Sequence, residues 1–122
     1  MSGIEKVSLA QKLATFTAHW SPRIVAELNG QHVKVVKFEG PFDWHHHEHE
    51  DELFLVLKGR LTMCFRDRDV VLEPGELLVV PRGTEHLPVA QGEVHVLLFE
   101  PAGTLNTGNV RNERTVERPE TI

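Results

Sequence analysis

After Pro22 the chain becomes a series of short apolar runs separated by turn residues, and this pattern constrains its fold more than any other feature. The runs cover 23–28, 31–38, 53–57, 61–66, 70–72, 77–80 and 94–99. Glycine, proline or asparagine stands in most of the gaps, and no helical pattern separates the runs. Short strands at regular spacing with such turns are typical of an antiparallel sandwich or barrel. The sequence therefore predicts an all-β, antiparallel fold.

Two dipeptides in these gaps indicate hairpins. Asn29-Gly30 lies between the first two runs, and Asn-Gly is a strong hairpin signal because both turn positions need a positive φ. Lys58-Gly59 lies between the runs 53–57 and 61–66 and predicts a second hairpin.

The ends of the chain differ from this middle part. Ser8 followed by Leu-Ala-Gln-Lys-Leu-Ala-Thr-Phe predicts a short helix over about 8–17, with the Ser8 hydroxyl as its N-cap. The tail over 102–122 is polar without apolar periodicity, and is either a packed loop, an arm onto a second subunit, or disordered. With 122 residues and no internal repeat, 1–122 is interpreted as a single domain with its barrel at about 23–101.

Charge and composition exclude several classes of partner. Thirteen Lys and Arg against eighteen Asp and Glu give a net charge of −5, which argues against a nucleic-acid surface. No apolar run reaches the ~18–20 residues of a membrane span. A single cysteine, Cys64, and an N-terminus without the features of a signal peptide predict a cytoplasmic protein. The absence of tyrosine removes that side chain as a catalytic acid or base.

Four of the eight histidines lie between Trp44 and Glu50. In an extended segment His45 and His47 project to one side and His46 to the other. Glu52 can return to the same point if the chain loops and enters a strand there. Two imidazoles and a carboxylate suit a borderline divalent metal such as Zn²⁺, Fe²⁺, Ni²⁺ or Mn²⁺. The alternative is a solvated loop that binds metal only adventitiously.

A second segment bears on that choice. Gly75, a predicted five-residue strand, Pro81, Gly83 and His86 follow one another in order. The Pro-x-Gly turn would present His86 at the mouth of the same sheet, where it is a candidate fourth ligand.

Together the two segments resemble the two sequence motifs of the cupins. The first cupin motif is Gly, five residues, His-x-His, three or four residues, Glu, six residues, Gly. Here it is matched by Gly40, His45, His47, Glu52 and Gly59, with a first gap of four residues instead of five.

The second cupin motif is Gly, five residues, Pro-x-Gly, two residues, His, three residues, Asn. Gly75, Pro81, Gly83 and His86 match it, and Ala90 stands where the family often has Asn. The chain thus looks like a small single-domain cupin, and it is similar to part of the phosphomannose isomerase core.

The resemblance implies a double-sheet jelly-roll barrel in which His45, His47, Glu52 and His86 hold one divalent metal (Zn, Fe, Ni or Mn). Open coordination positions on that metal suit Lewis-acid chemistry or dioxygen activation. The expected function is isomerase- or dioxygenase-type chemistry on a small polar molecule, such as a carbohydrate or an organic acid. The alternatives are a non-catalytic binding or sensor protein, and a metal with only a structural role. Small cupins commonly dimerise, so the resemblance also implies a homodimer.

The predicted Lys58-Gly59 hairpin assigns faces to its strands. If Glu52 faces the metal, the register of this hairpin places five apolar side chains on the same face as Glu52. These residues would line a substrate pocket: Phe54, Val56, Leu61, Met63 and Phe65. The alternative is that these residues are only barrel core. No catalytic residue is assigned, although the nearby acids Glu48, Glu50 and Asp51 are candidates for moving protons. Leu53, Leu55 and Leu57 on the opposite face need cover.

Overall fold

A computed structural model describes residues 4–122, so the first three residues of the predicted domain 1–122 lie outside the described part. One short helix and eight strands follow in chain order: α1 Leu9–Leu13, β1 Arg23–Leu28, β2 Gln31–Pro41, β3 Glu52–Lys58, β4 Leu61–Phe65, β5 Asp69–Leu72, β6 Leu77–Val80, β7 His86–Pro101 and β8 Glu120–Thr121. The strands form an antiparallel double-sheet jelly-roll barrel, apart from the parallel pair of β1 and β8. The predicted fold class is therefore confirmed.

The long strand β7 connects the two layers of the barrel. Its first part pairs with β4, from Leu61↔Ala90 to Phe65↔His86, while its second part pairs with β3. β2 runs antiparallel to β7 through both layers, with a register shift between Phe38 and Gly40 where the pair bends. Side chains that alternate inward along these strands therefore meet in one interior.

The second predicted hairpin is wrong. Within the described chain β3 pairs with β6 and β7, and β4 pairs with β5 and β7, so the two strands are not partners. The chain crosses from one layer to the other at Gly59, which has φ 84°. A Cβ there would lie 3.0 Å from the Glu93 carbonyl oxygen and from a Val94 methyl carbon. Glycine is thus required by a close approach to β7 and not by a hairpin turn.

The interior is a single apolar core between the layers, with Val36, Phe54, Val56, Leu61 and Met63 among its buried members. Four of the five predicted pocket residues are in this core even though the hairpin that placed them does not exist. The reason is that β3 and β4 lie in opposite layers of the barrel, and both layers turn alternate side chains inward.

A smaller core lies outside the barrel, where the N-terminal segment covers β1 and β2. It contains Leu13, Phe16, Val25 and Val35. The helix is shorter than the predicted range 8–17, since α1 covers only Leu9–Leu13. Its predicted N-cap is present, because the Ser8 hydroxyl accepts a hydrogen bond from the Gln11 N–H at 3.2 Å. Within residues 4–122 no helix has the length and apolar character needed to cross a membrane.

The tail over 102–122 is a packed loop that ends in a strand. β8 pairs in parallel with β1 through Arg23↔Glu120 and Ile24↔Thr121. Thr104 and Thr107 are buried. Of the three interpretations of this tail, the structure shows the packed loop.

Candidate metal centre

The two histidine-bearing segments lie side by side at one end of the barrel. The His45 N–H donates to the His86 carbonyl at 3.1 Å, and the His86 N–H donates to the His45 carbonyl at 2.9 Å. The Gly83 N–H also donates to the His47 carbonyl at 2.7 Å. Glu52 is the first residue of β3 and lies opposite Val80. Backbone pairing therefore brings the two sequence motifs together.

The structure brings together the four residues predicted as metal ligands. One ligand atom each from His45, His47, Glu52 and His86 lies within 4.8 Å of all the others. All four side chains are buried, with exposed fractions of 3%, 4%, 3% and 0%. That they bind a metal stays a prediction at this point.

Two of the imidazoles are oriented by backbone carbonyls. The Nδ1–H of His45 donates to the Asp43 carbonyl at 2.8 Å, and the Nδ1–H of His86 donates to the Thr84 carbonyl at 2.9 Å. With the proton on Nδ1, each Nε2 carries a free lone pair. Hydrogen bonds of this kind fix the tautomer and direction of metal-binding histidines.

Several buried polar atoms of this cluster have no hydrogen-bond partner among the described residues: His47 Nδ1, His47 Nε2, Glu52 Oε1 and His86 Nε2. Glu52 Oε1 lies 3.2 Å from His47 Nε2 and 3.7 Å from His86 Nε2, but neither contact has hydrogen-bond geometry. Buried polar atoms without partners are rare and cost roughly 1–3 kcal/mol each. Imidazole nitrogens and a carboxylate oxygen are donors that a divalent transition metal accepts, so the residues fit such an ion.

The charge states also suit a cation. Burial, together with the neighbouring His86, lowers the pKa of His45 to about 4, so this imidazole is neutral at pH 7. Burial acts to raise the pKa of Glu52, but its polar contacts with Glu100, His47 and His86 outweigh burial and hold that pKa well below its ordinary value. Glu52 is therefore a carboxylate in the folded protein.

An ion pair that the sequence reasoning missed lies directly behind Glu52. Glu100 extends the antiparallel register Leu53↔Phe99 by one step and so faces Glu52 across β3 and β7. Lys34 Nζ donates to Glu100 Oε2 at 2.8 Å, and both residues are 1% exposed. Burial and the adjacent Glu52 raise the pKa of Glu100 well above its ordinary value.

The C-terminal tail holds the histidine segment from the other side. The His46 N–H donates to Asn109 Oδ1 at 2.9 Å, and the Asn109 N–H donates to the His46 carbonyl at 3.0 Å. A Cβ on Gly108 would collide with that carbonyl oxygen. The peptide between the two predicted ligands His45 and His47 is thus fixed by a tail that the sequence left without an assigned role.

A cavity of about 30 Å³ lies beside the cluster and is apolar except for His45, Glu52 and Asn106. Both ends of the Asn106 amide are occupied, because Nδ2 donates to the Arg114 carbonyl and Oδ1 accepts from the Val116 N–H. Rings of Trp20, Phe38 and Phe42 form much of the remaining wall.

This cavity differs from the predicted pocket. Of the five predicted residues only Phe54 lines it, while Val56, Leu61 and Met63 lie deeper in the core. Phe65 lines a separate surface groove on the other side of the barrel end. The physical reason is that the cluster of His45, His47, Glu52 and His86 lies at the end of the barrel. Of the predicted pocket residues only Phe54, the next inward-facing residue after Glu52 on β3, therefore reaches the cavity.

The other predicted polar residues of the histidine segment face solvent. His46 pairs with Glu48 at 2.9 Å on the surface. Asp51 is exposed and accepts the Arg82 backbone N–H at 2.8 Å, and the pKa of this carboxyl is lowered by its bonds with Arg82. Glu48, Glu50 and Asp51, the candidates for moving protons, are not among the residues that line the cavity.

Comparison with known proteins agrees with this geometry. A family model described as the cupin domain matches residues 31–100. The chain is 43% identical over 63 residues to the uncharacterized protein YdbB of Bacillus subtilis (strain 168), and this match covers 51% of the chain and 56% of YdbB. It is 39% identical over 71 residues to quercetin 2,3-dioxygenase of the same organism, covering 52% of the chain and 21% of that enzyme.

A solved structure is similar over most of its length. The crystal structure of a cupin-2 domain containing protein from Shewanella frigidimarina superposes with a TM-score of 0.77 and 43% identity. The match covers 78% of this chain and 93% of that protein. By contrast, the chain spans only about half of YdbB and a fifth of the dioxygenase.

Proposed function

The chain belongs to the cupin-domain family, and from this premise we propose that it binds one divalent transition metal through His45, His47, Glu52 and His86 and uses it on a small molecule. The observation that carries the proposal is the set of buried ligand atoms that lie within 4.8 Å of one another and include several without partners. Family membership alone would not carry it, because one fold supports many functions.

The chain's own residues each have a definite part in this proposal. His45 and His86 offer Nε2 lone pairs, because the Asp43 and Thr84 carbonyls hold their Nδ1 protons. Glu52 supplies the negative charge. A bound metal of this kind polarises an oxygen of its ligand as a Lewis acid or, if it is iron, activates dioxygen.

The cavity wall bears on the class of ligand. Among the described lining residues outside the cluster only Asn106 is polar, and both ends of its amide are hydrogen-bonded within the tail. A carbohydrate would bury several hydroxyl groups against this wall without partners, at a cost of roughly 1–3 kcal/mol each. An organic acid carries its oxygens at one end, so of the two substrate classes expected from the sequence we favour the acid.

The reaction is of the dioxygenase or the isomerase type. The relative quercetin 2,3-dioxygenase supports the first, but the match covers only 21% of that enzyme. Isomerase chemistry needs a proton-moving group beside the ligand, and the described cavity lining offers none beyond the cluster itself. That same lack favours the second candidate function, a non-catalytic binding or sensor cupin.

We also propose that the protein is a homodimer through the outer face of the β3–β6 layer. Leu77 and Val79 on β6 are 55% and 52% exposed. Leu53 and Leu55 pair with them across β3 and point to the same outer side. A face of this kind is stabilised when a second copy covers it. Light scattering should give twice the chain mass, and a monomer mass at micromolar concentration would exclude the dimer.

Metal content decides the main proposal. Tag-free protein should contain about one transition metal per chain by elemental mass spectrometry, and His86→Ala should lose most of it. The matched control is His49→Ala, which removes an exposed histidine of the same segment and should keep its metal. Iron would direct the next assays to oxygen uptake, and zinc, nickel or manganese to isomerase substrates. If the parent takes up none of these metals after dialysis, the metal-dependent function is excluded.

A further inference from the structure

The cavity beside His45 and Glu52 is lined in part by side chains outside the segment that the family model matches. The family model matches residues 31–100. Trp20 and Pro22 lie before this range and Asn106 lies after it. Part of the wall of this cavity is therefore built by segments that flank the matched domain. Trp20 is its largest such member, and it comes from the connection between α1 and β1.

Trp20 is fixed in place by two hydrogen bonds to β2. Its backbone N–H donates to the Lys37 carbonyl at 2.8 Å, and its indole Nε1–H donates to the Glu39 carbonyl at 2.9 Å. Its ring stacks on Phe38 and Phe42 with centroid distances of 4.3 and 4.7 Å. Only 9% of the residue is exposed. The indole is thus a rigid wall and not a loose cover.

The backbone of Trp20 is unusual for a bulky residue. Its φ is 59°, a left-handed value that favours glycine. Strain of this kind persists only where the surrounding contacts determine it, and it occurs often at ligand sites. Here those contacts are the two hydrogen bonds and the aromatic stack, which together aim the indole into the cavity.

The space left beside the cluster is small. A cavity of about 30 Å³ holds one or two water molecules. We propose that Trp20 sets the size of the ligand that reaches the metal. With the indole in place the site admits a dioxygen-sized ligand or the carboxylate end of a short organic acid, and it excludes rings. This inference rests on the proposed metal function, which it narrows.

Two substitutions test the filter in a graded way. Trp20→Gly removes the indole and suits the left-handed backbone, while Trp20→Phe keeps a smaller ring on the stack. The matched control is Trp44→Phe, which changes the chain's other tryptophan. Trp44 lies outside the cavity, with the Arg66 guanidinium 3.9 Å from its ring.

The first measurement uses Co²⁺-loaded protein, whose visible spectrum reports on bound ligands. Azide should change the spectrum of the parent and of every variant. 4-Nitrocatechol, a planar ring with two neighbouring oxygens, should bind to Trp20→Gly with a Kd at least tenfold lower than to the parent or to Trp44→Phe. Trp20→Phe should fall between them. Equal nitrocatechol affinity in the parent and in Trp20→Gly would overturn the proposal.

The second measurement needs no metal. Benzene should raise the melting temperature of metal-free Trp20→Gly by several degrees, because an apolar cavity of ring size binds it, and it should not change the parent or Trp44→Phe. If the parent binds no cobalt, the metal function fails while this measurement still decides the filter. An unchanged melting temperature in Trp20→Gly would overturn it, and Trp20→Leu replaces that variant if it does not fold.

Discussion

Two groups of polar side chains are buried at the same end of the barrel, and they differ in whether their partners lie within the chain. Lys34 and Glu100 form an ion pair at 2.8 Å, and both residues are 1% exposed. The neighbouring cluster of His47, Glu52 and His86 keeps buried nitrogen and oxygen atoms without partners in the described residues. The ion pair is complete as folded, whereas the cluster lacks partners that the proposed cation would supply.

The two groups meet at Glu52 and Glu100, which face each other across β3 and β7. Two carboxyl groups are buried there, and Lys34 supplies one positive charge. Burial and Glu52 raise the pKa of Glu100, so a proton on Glu100 is one way to relieve the repulsion between the two carboxyl groups, and the proposed metal at Glu52 is another. Breaking either group should therefore have different consequences for stability and for metal binding.

The largest expected effect comes from removing one member of the ion pair. Lys34→Met leaves the Glu100 carboxyl buried without its counter-charge, which typically costs about 3–5 kcal/mol of unfolding free energy. Urea unfolding of the metal-free protein measures this loss. The double variant Lys34→Met, Glu100→Leu should recover much of it. If Lys34→Met has the same urea midpoint as the parent, the ion pair does not contribute to stability as predicted.

Adding metal to the cluster should act in the opposite direction. At a metal concentration of about 100 times its Kd, the folded state gains about 2.7 kcal/mol by mass action. Thermal unfolding with and without Zn²⁺ measures this gain, and a chelator should reverse it. Glu52→Gln should abolish most of the shift. An equal shift in that variant would place the bound metal elsewhere.

A change in the C-terminal tail should have a smaller effect on metal binding than a change in the cluster itself. Asn109→Ala removes the acceptor for the His46 N–H and frees the peptide between His45 and His47. Residues that hold metal ligands in position typically change metal affinity tenfold or more, so we expect about a tenfold higher Kd. Competition with a coloured chelator measures it. Asn109→Asp retains the acceptor oxygen and should bind like the parent; an equal loss in both would assign the effect to folding.

The smallest effect is expected at Asp51, the sequence neighbour of Glu52. Its carboxyl is exposed and bonded to Arg82, so Asp51→Asn should leave metal content unchanged. The pKa of Asp51 is lowered in the folded protein, chiefly by the bond with Arg82. Its contribution to stability is present above the ordinary carboxyl pKa and is lost as the pH falls through the lowered value. In acid unfolding, the stability of the parent should therefore fall slightly more steeply with decreasing pH than that of Asp51→Asn.

The clustering of His45, His47, Glu52 and His86 was predictable because the signals of these residues are local. His45 and His47 alternate in a short segment, and Pro81 and Gly83 form the turn before His86. Lys34 and Glu100 also carry a signal, since each lies an even number of positions from inward-facing apolar residues, Val36 and Leu98, on its own strand. Without the strand register that alternation does not reveal that the two side chains meet.

Other features depend on contacts between distant segments. Lys58-Gly59 has the composition of a hairpin turn, but the chain crosses between layers there because Gly59 packs against Val94. Trp20 lies in a connection without periodicity, and only the fold shows that its ring reaches the cavity. Short-range patterns therefore predicted the strands and the four residues that cluster, but not which strands pair or which side chains line the cavity.

The pairing of β2 with β7 has a consequence for when the chain can fold during its synthesis. Gln31 is opposite Pro101 and Pro41 is opposite Val89, so the barrel can close only after most of the chain has left the ribosome. Domains dominated by such distant pairings fold slowly. His45, His47 and Glu52, the first three proposed ligands, are synthesised well before His86, and during that interval the nascent chain offers an incomplete set of ligands. We therefore expect the proposed site to select among competing cellular metals late, when β7 docks onto β2.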